Sequence, residues 1–502
     1  MQLIKLHIID RYNDLSDFTI SFSDKVSLFV GVNGSGKSSV LEAVARIFSW
    51  TNLIYIEGIK SASLKNQKDE ITPDFSFEIE YYLRLEDKLF ETSTSAEFYT
   101  DLPMIKITGD KGNSRSIKIF VFEGKDYITI EKSIIFNKND KKYSKFLPEN
   151  LIIYYSGVSE SMHKLCEKHE NLFSEKLRDF ETPNLRALFY FTPNHFKYLL
   201  LALLCFEFGP LPIFFNETIK ISSVQNIKII LAKPSWGKGN SSIFWGAIGR
   251  VKQFLDLLKT NSNKVTSNNK DTILEVEMSL DGLRNVREFF ITETEMFRLF
   301  DIAHFDTLIQ DIEITLVHKD TGNTFDYKSL SEGEQQLITI TGLNEILIKA
   351  NSLALMDEPD SYLHPSRQRE LIPEILNRFN DFCQILVTTH SPFVAQSVDL
   401  NKIQIFEPNK NATTKVEDDL MSYPVIAEGI FGIKSEFSIE VENDIETFRK
   451  IRDKVLNDIE YSKTDLKDIV LKLQQKGDEI TSIINREVNQ LIKLKGNIFT
   501  DG

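Results

Sequence analysis

One eight-residue run constrains this chain more than any other feature: Gly31-Val-Asn-Gly-Ser-Gly-Lys-Ser38. It has the spacing glycine, four residues, Gly-Lys-Ser. It lies between the apolar segment Val26 to Val30 and a stretch with helical spacing at Val40, Leu41, Val44, Ile47 and Phe48. A strand, a glycine-rich turn and a helix in that order build a phosphate-binding loop. Glycines let backbone N–H groups close around a β-phosphate, and the helix N-terminus adds positive dipole. Asn33, Gly34, Ser35, Gly36, Lys37, Ser38 and Ser39 are therefore candidate nucleotide-binding residues. In this reading Lys37 neutralises the β- and γ-oxygens and Ser38 coordinates Mg²⁺. The alternative, an ordinary glycine turn ahead of a helix, is disfavoured by the full spacing and the correct flanks. The run predicts ATP or GTP binding at the edge of an α/β core.

Two adjacent acids, Asp357-Glu358, end a second apolar run, Ser352-Leu-Ala-Leu-Met, and Pro359 stops it. Such a run fits a strand buried on both faces of a parallel sheet. At that strand end one carboxylate can reach a magnesium ion through its water shell while the next faces the γ-phosphate. Asp357 is assigned to the metal and Glu358 to polarising the attacking water, because hydrolysis needs an oriented nucleophile. A third apolar run, Gln384 to Thr388, leads into Thr389-His390-Ser391. His390 is a candidate sensor of the γ-phosphate, although a lone histidine is more often a satisfied structural residue. An open α/β sheet gathers its ligands outside the carboxyl ends of its strands, so the loop, the acid pair and His390 are expected to converge. Leu330-Ser-Glu-Gly-Glu-Gln-Gln336 is ambiguous by chemistry alone. Its Ser-x-Gly turn can present N–H groups to a phosphate, yet Ser331 with Glu334 also makes an ordinary capping box.

The composition is compatible with this core. The 502 residues are 42% hydrophobic, 11% aromatic and 26% charged, which excludes collagen-like and disordered chains. At roughly 150 residues per domain the chain holds about two to four structural units. With 59 Lys and Arg against 73 Asp and Glu, the formal charge is −14, so any nucleic-acid contact needs a local basic patch. Lys138 to Lys145 is a candidate for DNA contact, although a charge run is usually solvated surface. Cys166, Cys205 and Cys383 form no CxxC pair, which excludes a disulfide framework and a zinc finger and fits a reducing cytoplasm. The most apolar run, Tyr198 to Gly209, is too short to span a bilayer and predicts a buried helix. The N-terminus lacks a signal-peptide pattern, so a cytoplasmic protein without membrane attachment is expected.

Residues 2–9 and 18–22 read as two strands, and the runs at 75–83, 105–107, 117–122 and 127–130 predict an antiparallel sheet, with another strand at Leu151 to Tyr155. Residues 159–320 read as mainly helical, interrupted by an exposed polar loop from Asn261 to Asn269. The strands at 352–357 and 384–388 alternate with helices near 338–348 and 368–379, which predicts a doubly wound α/β core. Beyond residue 438, Leu466, Ile469, Val470 and Leu473, then Ile480, Ile483, Ile484, Val488 and Leu491, predict amphipathic helices broken at Gly477.

In their order these motifs resemble the ABC-type ATPase heads of the RecF, SMC and OLD group. Gly31 to Ser38 is similar to Walker A, Leu330 to Gln336 to the signature motif, Leu353 to Glu358 to Walker B, and Thr389-His390-Ser391 to the switch histidine. The resemblance implies a mixed-sheet lobe joined to a doubly wound P-loop core. It also implies a head-to-head dimer in which Ser331, Gly333 and Glu334 of one copy close over ATP and Mg²⁺ held by Lys37 of the other. Residues 1–158 and 327–437 are then the two parts of the head, 159–326 a mainly helical insertion, and 438–502 a helical tail for assembly or partner binding. Ser156-Gly157 stands where transporter heads carry a glutamine, so no Q-loop residue is named. Leu363-His364-Pro365 has a form found in RecF- and OLD-like heads, and it also reads simply as the start of the next helix.

More narrowly, Ile152 to Gly157, Arg186 to His195 and Leu330 to Gln336 look like the PtuA-type ATPases of Septu antiphage systems and of some retrons. That resemblance implies a homodimer or higher oligomer with slow ATP hydrolysis, controlling a separate PtuB-like HNH nuclease. In retrons it implies a meeting with a reverse transcriptase and its small DNA. One alternative is a RecF- or SMC-like ATPase acting in DNA repair or DNA binding. Another is an OLD-like nuclease with its own Toprim domain, for which too little chain follows Glu428-Gly429.

Overall fold

A computed structural model describes residues 1–22, 24–56, 72–83, 104–123, 126–129, 146–157, 159–177, 187–268, 270–305, 307–348, 351–377, 383–408, 410–415, 423–431, 437–496 and 498–499. The basic run Lys138 to Lys145 and Arg186 lie outside these residues. Gln2–Ile8 (β1) and Phe18–Ser21 (β2) pair antiparallel, whereas Val26–Gly31 (β3), buried along its whole length, enters a different sheet. Lys37–Tyr55 (α1) follows it. Phe77–Tyr82 (β4), Met104–Asp110 (β5), Asn113–Glu123 (β6) and Asp126–Thr129 (β7) complete the first sheet in the order β2-β1-β4-β5-β6-β7, antiparallel throughout. Alternate residues such as Ile79, Tyr81, Ile105, Ile107 and Ile119 are buried, and Phe48 and Trp50 of α1 belong to the same core. One polar and one apolar face is what period-2 patterning requires.

The second sheet is the doubly wound core. Leu151–Tyr155 (β8) and Leu188–Phe191 (β9) pair in parallel at one side of it. Downstream come Leu353–Asp357 (β15), Gln384–Thr388 (β16), Ile403–Phe406 (β17) and Thr414–Lys415 (β18), giving the order β18-β17-β3-β16-β15-β8-β9. All neighbours are parallel except the β17–β18 pair. Leu353, Ala354, Leu355, Ile385, Leu386 and Val387 are all inaccessible, which explains their continuous apolar run.

Between these halves the region expected to be mainly helical does contain Glu160–Leu177 (α2), Phe196–Leu204 (α3), Gly249–Thr260 (α4), Leu280–Arg287 (α5) and Glu293–Phe305 (α6). Its frame, however, is a five-stranded antiparallel sheet that the reading missed. Ile221–Ala232 (β10), Lys264–Ser267 (β11), Ile273–Met278 (β12), Ile309–His318 (β13) and Thr324–Asp326 (β14) stand in the order β11-β12-β10-β13-β14. Ile227, Ile229 and Leu231 alternate inward against Leu274, Val276 and Met278, a period-2 signal hidden between longer helical runs. The expected loop at 261–269 is corrected in the same way, because it contains β11 at the sheet edge. Lys264, Thr266 and Ser267 give that edge the polar composition of a loop. The most apolar run is a buried helix as expected: Phe196–Leu204 is buried at every residue. No helix among the described residues is long and apolar enough to cross a membrane.

Glu332–Gly342 (α7), Pro365–Asn377 (α8) and Pro392–Gln396 (α9) lie in the same stretch of chain as β15 to β17. Residues 1–420 form one compact unit and 421–502 another. In the latter, Ile439–Leu456 (α10), Lys463–Gln474 (α11) and Asp478–Lys495 (α12) share one core. It contains Ile445, Phe448, Leu466, Leu473, Ile484 and Leu491. The apolar stripes that suggested a partner-binding role thus fill the tail's own interior. Gly477 (φ 130) separates α11 from α12.

Candidate active site

Four neighbouring parallel strands, β3, β16, β15 and β8, end side by side. The register sets Asp357 opposite Thr388 on one flank and Tyr155 on the other. Parallel strands lie roughly 4.8 Å apart, so the loops leaving their carboxyl ends are neighbours. These loops carry the phosphate run, Thr389-His390-Ser391, Asp357-Glu358 and Ser156-Gly157 respectively.

Gly36 caps α1 with φ 95 and no side chain caps the helix, which leaves its first N–H groups open to an anion. The positive φ is what favours glycine here, since side-chain-bearing residues rarely adopt it. At Gly31 (φ 148) a Cβ would meet the Phe406 carbonyl oxygen at 2.3 Å. Lys37 is 4% exposed. Its Nζ donates to the carbonyls of Gly31 (2.9 Å) and Val32 (3.0 Å). Burial lowers its pKa to about 8 against the pull of Glu358 and Asp357. Asn33 and Gly34 are exposed at the rim, Ser35 is buried and Ser39 half-buried.

Ser38 Oγ donates to Asp357 Oδ1 at 2.8 Å, joining the phosphate loop to the acid strand. Thr388 Oγ1 donates to the same oxygen at 2.6 Å. Burial pushes the Asp357 carboxyl up, opposed by these two hydrogen bonds. A cation would favour the ionised form of such an acid, and two hard oxygens at this spacing fit Mg²⁺. Among the described residues no three His, Cys, Asp or Glu side chains group to hold a metal alone, so phosphate and water oxygens would complete the shell.

Glu358 has φ 49, an uncommon conformation for a residue with a side chain. Its N–H is held by the Thr388 carbonyl (3.2 Å) and Thr388 Oγ1 (3.0 Å). Its carboxylate accepts from Ser361 Oγ at 3.1 Å and lies 3.3 Å from His390 Nε2. Burial, then Lys37, hold the His390 pKa down, with Glu358 opposing. An open cleft of about 520 Å³ runs beside the acids, lined by Tyr155, Ser156, Ser159, Asp357, Glu358 and Tyr362.

Lys37, Ser38, Asp357, Glu358 and His390 are therefore brought together. Ser331, Gly333 and Glu334 are not: among the described residues no hydrogen bond joins them to the phosphate loop. Ser331 is exposed and caps α7, its N–H and Oγ both donating to Glu334 Oε2 at 2.8 Å. That is the capping box expected from chemistry alone. Gln336, 3% exposed, accepts from the Tyr362 N–H at 3.0 Å, tying the same helix to the turn after the acids. Ser361, Thr388 and Gln336 were not singled out by sequence. Each acts through a neighbour on another segment, and only the placement of Ser361 three residues after Glu358 offered a local hint.

A protein family described as AAA ATPase domain matches residues 1–395. The chain is 21% identical over 413 residues to the Retron Vc95 probable ATPase of Vibrio cholerae serotype O1 biovar El Tor, covering 78% of this chain and 71% of that one. It is 33% identical over 89 residues to the Retron Ec83 probable ATPase of Escherichia coli, covering 16% of each chain. Among solved structures it is similar to the SMC head domain from Thermotoga maritima, with TM-score 0.33, 13% identity, and coverage of 83% of this chain and 100% of that chain. It is also similar to the Smc head domain with an extended coiled coil, bound to the C-terminal domain of ScpA, derived from Pyrococcus furiosus. There the TM-score is 0.35 and identity 12%, with 83% and 96% of the two chains covered.

Proposed function

From the premise that this chain belongs to the AAA ATPase domain family, we propose that it is the ATP-hydrolysing regulatory subunit of an antiphage defence complex, closing head-to-head on ATP. The observation that carries this reading is the meeting of Lys37, Ser38, Asp357, Glu358 and His390 beyond four adjacent strand ends, with Ser331 left exposed on a separate helix. Lys37 and the open N-terminus of α1 bind the β- and γ-phosphates. Ser38 and Asp357 would hold Mg²⁺, which when bound neutralises and orients the phosphate oxygens. Glu358 accepts a hydrogen bond from the attacking water and orients it, its carboxylate steadied by Ser361 and His390. With ATP bound, the Nε2–H of His390 can turn from Glu358 to the γ-phosphate as charge develops there.

On this reading the exposed Ser331 turn of a second copy supplies a donor that reaches the nucleotide from outside. Ser331 Oγ then exchanges Glu334 for a phosphate oxygen, a change of cap worth about 1 kcal/mol. The test mixes two variants in equal amounts, Glu358→Gln and Ser331→Arg, each expected to hydrolyse ATP poorly alone. Random pairing makes about a quarter of the composite sites whole, so hydrolysis should return to roughly that share of wild type. A mixture no faster than its components would remove the shared site.

The defence setting is supported by relatives named retron probable ATPases and by the PtuA-like segments around Ile152 and Leu330. On this reading the output belongs to a PtuB-like HNH nuclease partner, and in a retron to a reverse transcriptase with its small DNA. Hydrolysis is slow and serves to gate that partner in the cytoplasm. Neighbouring genes decide it: an HNH nuclease gene beside this one is expected, and recombination genes in its place would favour a DNA-repair ATPase.

A further inference from the structure

The proposed roles leave one buried acid beside the site unused. Asp360, 4% exposed, lies two residues beyond Glu358. Its Oδ2 accepts from Thr389 Oγ1 at 2.8 Å, while its Oδ1 has no partner among the described residues. Thr389 Oγ1 itself accepts from the Ser391 N–H at 2.9 Å. Ser391 Oγ donates to Gln368 Oε1 at 2.7 Å, and Gln368 Nε2 donates back to the Asp360 carbonyl at 3.0 Å. Four hydrogen bonds thus close a ring through three segments: the turn after the acid pair, the first turns of α8, and the loop after β16.

His390 is the residue enclosed between two ring members. Thr389 is inaccessible and Ser391 8% exposed, whereas the His390 side chain is 34% exposed and faces Glu358 across 3.3 Å. A half-exposed imidazole on a loop keeps its place only as well as its backbone does. Beyond β16 the sheet offers that backbone a hydrogen bond from the Thr389 N–H to the Phe29 carbonyl (3.0 Å). Burying a carboxylate costs stability, and such costs collect where function needs a fixed geometry.

We infer that Asp360 and Gln368 are positioning residues, which act through Thr389 and Ser391 to fix the His390 backbone so that its imidazole meets Glu358. This inference rests on the roles proposed above for Glu358 and His390.

Steady-state ATP hydrolysis by the full chain tests it in a double-variant cycle. Asp360→Ala should lower kcat about tenfold with the KM for ATP nearly unchanged, and Gln368→Ala should do the same more weakly. Asp360→Asn keeps an oxygen for Thr389 and should recover most of the rate. Once His390 is alanine, Asp360→Ala should cost nothing further, because its effect passes through that imidazole. Losses that multiply in Asp360→Ala/His390→Ala, a KM that rises in step, or wild-type rates in both ring variants would overturn the inference. If Asp360→Ala does not fold, Gln368→Ala in the same cycle decides. A wild-type chain without Lys37-dependent hydrolysis would instead fail the site reading itself, an outcome distinct from an active wild type with indifferent ring variants.

Discussion

Lys37→Ala is expected to abolish useful nucleotide binding, with affinity falling at least about a hundredfold, or roughly 3 kcal/mol. The ammonium is buried, and two of its three N–H groups are engaged by the carbonyls of Gly31 and Val32. The third is left for a phosphate oxygen. Alanine removes the counter-charge and a buried donor of charge-assisted hydrogen bonds, which are the strong ones. Titration with a fluorescent ATP analogue measures the loss, and affinity within a few-fold of wild type would show that this charge does not hold the triphosphate. The same group sets a pH dependence. Because burial lowers its pKa to about 8, the free site is charged below that pH and neutral above it. A polyanion selects the charged form, so affinity should fall as pH rises from about 7 to about 9, with a proton taken up on binding at the upper end. A flat profile would mean that Lys37 stays charged throughout.

Glu358→Gln is expected to leave ATP bound while hydrolysis drops on the order of a hundredfold to ten-thousandfold. Glutamine keeps the length of the side chain and an oxygen for the Ser361 hydroxyl, but it cannot take a proton from water. The strained backbone at φ 49 is held by Thr388 through main-chain contacts that the substitution does not touch. Lost hydrolysis with intact binding therefore separates chemistry from affinity. In single-turnover assays the variant should retain ATP, and on a sizing column with ATP it should run as a persistent dimer where wild type relaxes to monomer. Hydrolysis at the wild-type rate would assign water activation to another group. A variant that is inactive yet monomeric with ATP bound would separate the chemistry from the head-to-head closure.

Much of this site was legible locally. The phosphate loop needed only its own spacing and its flanks, since a strand, a turn and a helix are made by neighbours in the chain. The two acids were legible because an apolar run that stops at Asp357-Glu358 and Pro359 marks a strand end. His390 was recognisable from the same logic one strand away, and the capping box of Ser331 and Glu334 could be read from four residues. The insertion was read less well. β10 and β13 are long alternating strands, yet helices between them dominated the windows, and β11 has the polar composition of a loop because it lies at an edge. The tail's stripes were correctly helical, but an amphipathic stripe does not say whether it faces its own bundle or another molecule.

By itself the sequence determined that a glycine-rich turn before a helix, a carboxylate pair at one strand end and a histidine at another exist in this order, because each is a property of contiguous residues. Only the tertiary structure decided that Ser38 meets Asp357 across 319 residues of chain, that Ser361 and His390 hold Glu358, and that Asp360 closes a ring around His390. The physical reason is strand order. The sequence β3-β16-β15-β8 places four loops side by side through hydrogen bonds between distant segments, and no local period of apolar residues encodes which strand will lie next to which.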